Sequence, residues 1–564
     1  MLKTYHYPRF DYVMPSAVRD GSRPRYPVVV VGAGPVGLAC AIDLAQRGQS
    51  VLVLDDDDTV SVGSRGVCYA KRTLEVLDRL GCGEAIVRKG QSWNVGRTFF
   101  REQEVFNFNL SPEPDHHRPG MINLQQYYLE EELVRRAQTL PQITLCWKNR
   151  VTAVTPLGNG VGLAVETPDG SYHLDADWLV VADGARSPVR SLLGLDIAGT
   201  VFMDRFLIAD VVMHADFPSE RWFWFDPPFH PHQSVLLHRQ ADHVYRLDFQ
   251  LGWDADPEVE KQPEKVLPRI RAMLGDDRPF ELEWVSVYTF QCRRMQRFRH
   301  GRALFVGDAA HQVSPFGARG ANSGIQDADN LGWKLDLVLR GLAPDALLDS
   351  YSDERVVAAD ENIRNSTRST DFITPKSPVS RTFRDAVLGL AQTYPFARAL
   401  VNSGRLSVPT FLTDSPLNTL DDDVFAGTMV PGAPMDDAPV TVDGEPGWLL
   451  DQVGDAFLLL YAVDDTSALT AKASEVLAAI SDAAVSLKVL LVAPTEVDAD
   501  APRAVWDHAG RVAERYDLKP GTVYLLRPDQ HVAARWRRLD PQAVAVALAR
   551  ATAQCASARN APCR

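Results

Sequence analysis

The sequence predicts an α/β protein: a parallel-sheet domain interrupted by a β-rich insertion, with a smaller α/β unit towards the C-terminal end. Three observations predict it. A strand, a glycine turn, a helix and a second strand follow one another between Val28 and Leu54. Short alternating runs fill the stretch from about Phe202 to Phe290. A buried-type strand returns at Arg302–Val306 and leads into a glycine-broken loop and an apolar-faced helix.

Each element follows from its residues. Val28–Val31 is a continuous β-branched run, the pattern of a parallel strand covered on both faces. Leu38, Ile42 and Ala45 then recur at helical spacing, and Val51–Leu54 is a second buried strand, which completes a βαβ unit. Thr73–Leu80 and Tyr127–Ala137 have helical patterns, and Trp178–Ala182 is a further strand ending in DGARSPVR. SVLLHR and VYRLDFQL alternate between turn residues, which predicts an antiparallel sheet. A helix from about Ser323 carries Ile325, Ala328, Leu331, Leu335 and Val338 on one face. Residues 376–423 read as helical with proline-bearing breaks. Beyond them lie strands at Ala456–Val463 and Leu487–Val492, a hairpin in VYLLRPDQHVAARW and a closing helix.

The expected domains are 25–200, with insertion segments near 90–125, then 201–295, 296–375, a helical connection 376–426, and 427–564. A chain of 564 residues exceeds what one core organises. The net charge of -14, with no Lys/Arg run, argues against a nucleic-acid partner. Seven scattered cysteines without CxxC or ligand spacing predict reduced thiols and no metal site. The N-terminal MLKTYHYPRFDYVMP lacks a signal-like apolar run, and the most apolar segment, Val28–Ala45, contains three glycines, Pro35 and Asp43. No membrane contact and a cytoplasmic location are therefore expected.

Gly32, Gly34 and Gly37 form GxGxxG between strand and helix. The first permits the tight turn, the second lets backbone approach a pyrophosphate, and the third allows close helix–strand packing. Asp55, at the end of the second strand, suits an adenosine ribose. This unit alone leaves NAD and FAD both open. No second GxGxxG is apparent.

GAGPVG, DGARSPVR at Asp183–Arg190 and GDAAHQVSPFGARGANSGIQDADN at Gly307–Asn330 occur in order over about Val28–Leu339. Together they resemble the three fingerprints of the class A flavoprotein monooxygenases, the aromatic hydroxylases of para-hydroxybenzoate hydroxylase and phenol hydroxylase type. The resemblance implies a Rossmann-like FAD-binding domain of GR2 type, FAD as cofactor, NADH or NADPH as a transient co-substrate, and O2. It implies hydroxylation of a phenolic ring through a flavin C4a-hydroperoxide.

By the same resemblance, Gly32, Gly34, Pro35, Val36, Gly37, Asp55, Arg65, Gln126 and Val151 belong to the nucleotide and ribityl side of the FAD site. Asp183, Gly307, Asp308, Pro315, Gly317, Arg319, Gly320, Ala321 and Asn322 belong to its flavin side. Asp308 would meet the ribityl chain, and the N–H groups of Ala321 and Asn322 would meet flavin N1 and O2. Pro315 would line the oxygen side, where Ser314 departs from the family's second proline. The substrate would lie against the β-rich insertion, near Trp222–Phe225, His238, Tyr245, Arg246 and Asp248, with Trp222 and Trp224 as ring contacts and Tyr69 reaching in from the other side. No base is assigned. The nearest substrate is a small phenol carrying a carboxylate side chain, as in 3-(3-hydroxyphenyl)propionate hydroxylases. The alternatives are a polycyclic polyketide-type phenol, a flavin dehydrogenase or reductase on the same fold, and a non-catalytic flavin sensor. The region from about Gly427 is similar to the thioredoxin-like domain of phenol hydroxylases but lacks CxxC, which implies a structural or dimer-contact role in a homodimer.

Overall fold

The computed structural model describes residues 2–110, 114–275, 278–401, 406–463, 485–496 and 503–554. Its first sheet runs Ile143–Cys146, Val51–Leu54, Arg25–Val31, Gly170–Val181 and Ala303–Phe305, all parallel. Val28–Val31 and Val51–Leu54 are buried throughout, as strands covered on both faces must be. Arg150–Leu157 and Gly160–Thr167 form an antiparallel meander that feeds the long Gly170–Val181 strand. Helix Pro35–Gln46 packs on one face of this sheet, between it and helix Gly320–Leu339.

The second sheet has eight strands, in the order His311–Gln312, Glu281–Arg294, Ala198–Val212, Val244–Leu251, Ser234–Arg239, Arg221–Phe225, Val95–Phe100 and Gln103–Asn109. Its one parallel pairing joins Arg221–Phe225 to Val95–Phe100. The early segment at 95–109 thus belongs to the β-rich insertion. One face packs on helix Pro263–Leu274 through Leu207, Leu247 and Phe249. The other carries Phe206, Phe225, Leu236 and Phe290, which pack against Phe316 of the glycine-broken loop.

The third sheet is mixed. Ala504–Trp506, Leu487–Ala493 and Phe457–Ala462 are parallel, and the hairpin Val523–Leu526/Val532–Trp536 continues antiparallel from the last of them. Pro439–Val442 and Glu445–Trp448 close the other edge, and helix Pro541–Ala551 covers one face.

Two expectations need correction. Between 376 and 426 the helices are Pro378–Ala391 and Pro395–Arg398, and the described residues 406–438 contain none. Pro409, Pro416, Pro431 and Pro434 fall in that stretch, and each lacks the N–H that a helix needs. The longest helix, Leu347–Ile373, has no counterpart among the expected elements. Its buried face includes Ser350, Glu354, Arg355, Asn362, Ser366 and Thr370, so no apolar stripe announces it.

Among the described residues no helix is long and apolar enough to cross a membrane. No group of three or more His, Cys, Asp or Glu side chains among them is placed to hold a metal ion.

Candidate active site

The nucleotide end is built by close backbone approach. Gly32 holds φ at +105°, and a Cβ there would lie 2.4 Å from the Ala182 carbonyl oxygen. A Cβ on Gly37 would lie 2.0 Å from the Gly32 carbonyl oxygen. Gly34 differs: its dihedrals suit any residue, and an added Cβ would meet nothing within 4 Å. It precedes helix Pro35–Gln46, whose N-terminus receives no side-chain cap. The first-turn N–H groups have no intrahelical acceptor, so glycine space and free donors together form an anion cradle.

Asp55 accepts from the Ala33 N–H at 2.6 Å and the Asp57 N–H at 2.9 Å, which fixes its carboxylate beside that cradle. Burial pushes its carboxyl up to about 6. Its backbone carbonyl accepts from Asn149 N at 2.7 Å, bringing the buried Val151 to the same end of the sheet. The raised value means that this carboxyl favours folding below about pH 4 and loses that contribution as pH rises through about 6. Asp55→Asn is therefore expected to raise the melting temperature of the apoprotein near neutral pH. The same change should weaken FAD by about tenfold or more, since a charged acceptor is lost. A joint titration of melting temperature and FAD fluorescence checks both signs, and an unchanged FAD affinity sinks the ribose role.

The flavin end is assembled around Val36. A Cβ on Gly324 would lie 2.5 Å from Val36 Cγ2, and one on Gly307 would lie 3.1 Å from it. This contact brings the N-termini of helices Pro35–Gln46 and Gly320–Leu339 to one cleft. Asp327 pins the turn between them, accepting from Gly307 N at 2.9 Å and Arg355 Nε at 2.6 Å, and lying 2.6 Å from His311 Nε2. Burial raises the Asp327 carboxyl, but His311 and Arg355 outweigh it and hold it below the usual range.

Asp308 has an accessible side chain, yet protein surrounds it closely enough for burial to raise its carboxyl. That combination marks the wall of an internal cleft. Asp183 accepts from Val189 N at 2.9 Å through Oδ2, while its buried Oδ1 has no partner among the described residues. Burial raises this carboxyl too.

The loop from Ser314 alternates its contacts. Ser314 is buried against the long helix, accepting from Thr370 Oγ1 at 2.9 Å. Pro315 is exposed, and Phe316 packs on Phe206 and Phe290. Gly317 has φ of +103°, so backbone conformation demands glycine there. Gly320 opens the helix, where an added Cβ would come within 3.9 Å of Asp308 Oδ1. Asn322 Oδ1 accepts from Ala70 N at 2.8 Å and its Nδ2 donates to the Cys68 carbonyl at 2.9 Å. These bonds fix the first turn and the N–H groups of Ala321 and Asn322.

Gln126 Oε1 accepts from Gly66 N at 2.9 Å, and its Nε2 donates to Glu130 at 2.7 Å, so it braces the segment carrying Arg65. Arg65 is exposed, and its charge acts on Asp308 and Tyr288. Arg319 is placed differently from a flavin-facing cation. It is 2% exposed and donates to Asn362 of the long helix at 3.2 Å.

The substrate face requires corrections at Trp222, Trp224, Tyr245 and Tyr69. Directly paired residues on neighbouring strands share a face. Arg221 pairs with His238, His238 with Arg246, and Arg246 with Asp210, so these form one row towards the cleft. Phe223, Leu236, Asp248, Ile208 and Ser286 form the next row. Trp222, Trp224 and Tyr245 lie one residue out of phase and face away, in the cluster under helix Pro263–Leu274. The Tyr245 hydroxyl donates to the Ala215 carbonyl at 2.9 Å. Tyr69 is fully buried, its hydroxyl 3.4 Å from the Gly66 carbonyl, so it reaches no substrate without moving. His238, Arg246 and Asp248 do face the cleft. Arg246 is spent on Asp210, with its Nε 2.8 Å from Oδ1 and its Nη2 2.8 Å from Oδ2. Arg221, Phe206 and Tyr288 were not among the expected site residues.

Comparison with known proteins agrees with this geometry. The family model described as "FAD binding domain" matches residues 25–366. The chain is 30% identical to 6-methylpretetramide 4-monooxygenase of Streptomyces rimosus over 538 residues, 91% of each protein. The chain belongs to the FAD-dependent aromatic monooxygenases. This monooxygenase is also 30% identical to the 3-(3-hydroxy-phenyl)propionate/3-hydroxycinnamic acid hydroxylase of Mycolicibacterium smegmatis over 382 residues, 66% of each chain. Its fold matches the flavin-dependent monooxygenase PieE, solved with FAD and substrate, with a TM-score of 0.77 at 24% identity, covering 94% of this chain and 99% of that one. The unpaired Asp183 Oδ1, the empty space at Gly34 and the enclosed Asp308 fit FAD. When bound, FAD supplies electron transfer and oxygen activation, and the residues around the cleft would position it.

Proposed function

We propose that this monooxygenase hydroxylates a phenolic ring, taking two electrons from NADH or NADPH and one oxygen atom from O2, with the second oxygen leaving as water. The observation that carries the reading is the cleft face of the eight-stranded sheet. It sets the apolar Phe223, Leu236 and Ile208 beside the polar row of Arg221, His238, Arg246 and Asp210, on the face that packs against Phe316. An apolar ring seat next to the flavin loop excludes water, and the polar row is available to the phenol oxygen.

The roles follow the geometry. Asp55 takes the adenosine ribose, and the uncapped helix at Gly34–Gly37 takes the pyrophosphate. Arg65 and Asp308 flank the ribityl chain, and Gln126 holds Arg65 in place. The N-terminus of helix Gly320–Leu339 stabilises negative charge on the reduced ring through the N–H groups of Ala321 and Asn322. Pro315 lines the side where oxygen reacts. A nicotinamide visiting near Asp183 fits a relative named as a probable NADH-specific resorcinol 4-hydroxylase of Rhodococcus jostii, 31% identical over 335 residues.

A polycyclic phenol is the second reading of the substrate. It is favoured by the match to 6-methylpretetramide 4-monooxygenase, which spans 91% of the chain where that to the propionate hydroxylase spans 66%. We also propose that the C-terminal unit is thioredoxin-like and structural. Its central strand Phe457–Ala462, flanked by one parallel and one antiparallel neighbour, supports that. The domain limits given above, a homodimer and a cytoplasmic location belong to the same proposal.

The test is oxidation of NADH and NADPH by the FAD-loaded protein, with O2 uptake and product mass. The panel holds resorcinol, 3-(3-hydroxyphenyl)propionate and polycyclic phenols. Stimulated oxidation and a product heavier by one oxygen are expected for one class. Oxidation of a substrate without oxygen insertion would replace the reading with a dehydrogenase.

A further inference from the structure

We propose that Arg221, His238 and Asp248 form a recognition site for an anionic oxygen on the aromatic ligand, a phenolate or a carboxylate. Arg221 would be the anion-binding group and Asp248 the acceptor for a neighbouring hydroxyl. The proposal rests on the hydroxylase reading only for where the ligand ring lies.

Arg221 is 8% exposed and His238 3% exposed, yet among the described residues neither side chain has a hydrogen-bond partner within 3.5 Å. Arg221 has no ion pair there either. His238 Nε2 and Asp248 Oδ2 stand 3.6 Å apart, beyond hydrogen-bond length. Arg221 Nη1, His238 Nδ1 and Asp248 Oδ1 are all buried polar atoms without partners. Groups of this kind are rarely left unsatisfied, and a buried guanidinium least of all.

The neighbouring strand shows the ordinary solution. Arg246 is as deeply buried but is paired with Asp210 by two hydrogen bonds of 2.8 Å. Among the described residues nothing comparable serves Arg221. The nearby Cys68 is kept a neutral thiol because burial pushes it up to about 11, and its Sγ is 3.1 Å from Asn123 Oδ1. Burial pushes His238 down to about 4, with Arg221 acting in the same direction, so no imidazolium competes for an anion.

Phe223 and Leu236 lie two residues from Arg221 and His238 on the same face, so an apolar ring seat borders the cation. Asp248, in the ring-seat row, offers an acceptor at the same edge. A ring with an oxyanion, and a hydroxyl close to it, satisfies all three side chains together.

The experiment titrates FAD-loaded wild type, Arg221→Met and Arg221→Lys with benzoate, 3-(3-hydroxyphenyl)propionate, resorcinol and 1,3-dimethoxybenzene. Flavin absorbance gives Kd, and melting temperature is read with and without ligand. Arg221→Met should weaken at least one oxyanion-bearing probe by about tenfold or more and leave dimethoxybenzene unchanged, with Arg221→Lys recovering part of the loss. A loss confined to the acids identifies a carboxylate site, and one confined to resorcinol a phenolate site. Without ligand, Arg221→Met should melt no lower than wild type, because an uncompensated buried charge has been removed. Equal affinities in all three proteins would overturn the proposal. So would a ligand-free Arg221→Met that melts well below wild type or does not fold, or a wild type that binds no acidic probe. Binding without oxygenated product would leave the anion site standing and defeat the hydroxylase reading alone.

Discussion

Arg527→Met is expected to remove about 3–5 kcal/mol of stability, because it strands buried carboxylates whose partner it deletes. Arg527 is fully buried. It donates to Glu354 Oε1 at 2.7 Å and Oε2 at 3.0 Å, and to Asp529 at 2.9 and 2.5 Å. Glu354 also accepts from Lys334 Nζ and Asn330 Nδ2, both at 2.7 Å. Arg72 and Arg79 reach Asp329 beside them and bond the carbonyls of Asp529 and Pro528 at 2.8 Å.

Burial alone raises the carboxyls of Glu354 and Asp529, but Arg527 together with Lys334 at Glu354 and His531 at Asp529, by charge and hydrogen bond, outweighs it and holds both far below the usual range. Lys334 goes the other way: burial pulls it down to about 8, so it is the weaker cation of the pair on Glu354. The depressed carboxyls contribute stability that is present above their unfolded values, 4.5 and 3.8, and is lost as pH falls below them. The gap in melting temperature between wild type and Arg527→Met should thus be widest near neutrality and shrink below about pH 4. Adding Glu354→Gln should recover part of the loss through coupling of about 1 kcal/mol or more. A variant melting within a degree of wild type would show that the network is not under load.

Gly34→Ala and Gly37→Ala should both yield protein without flavin, for opposite reasons. At Gly34 a methyl meets no protein atom, so the fold should keep its wild-type apo stability while the pyrophosphate loses its place. At Gly37 the methyl would lie 2.0 Å from the Gly32 carbonyl and 3.0 Å from Ala182 Cβ, which pushes the helix off its strand. Overpacking of this kind costs about 1–3 kcal/mol. The FAD-to-protein ratio and the apo melting temperature separate the two variants. Stoichiometric FAD in Gly34→Ala would remove the phosphate from that cradle.

The strand–turn–helix at that end was legible because Gly32 and Gly37 are dictated by backbone geometry that any such turn shares. The strand Arg221–Phe225 was legible as a strand but not as a face. RWFWF is aromatic at both parities, and only the pairing of Arg221 with His238 fixes which aromatics meet the cleft. Hence Trp222 and Trp224 were expected in the pocket that Phe223 and Phe225 border. Tyr288 and Arg221 went unseen for a related reason, since neither carries a local signal until the sheet sets them opposite Arg65 and Cys68. The long helix Leu347–Ile373 hides its buried face behind serines and charges whose partners lie far along the chain.

One of those partners sits in the turn RPDQH at 527–531, which reaches back into the first domain. The C-terminal unit is therefore not an exchangeable module. A chimera that grafts this unit from a relative inherits a foreign turn, and Glu354, Lys334 and Asp329 must be transplanted with it. The charge cluster acts as a key shared between the two halves of the chain, and recombination across residue 426 breaks it unless both halves come from one parent.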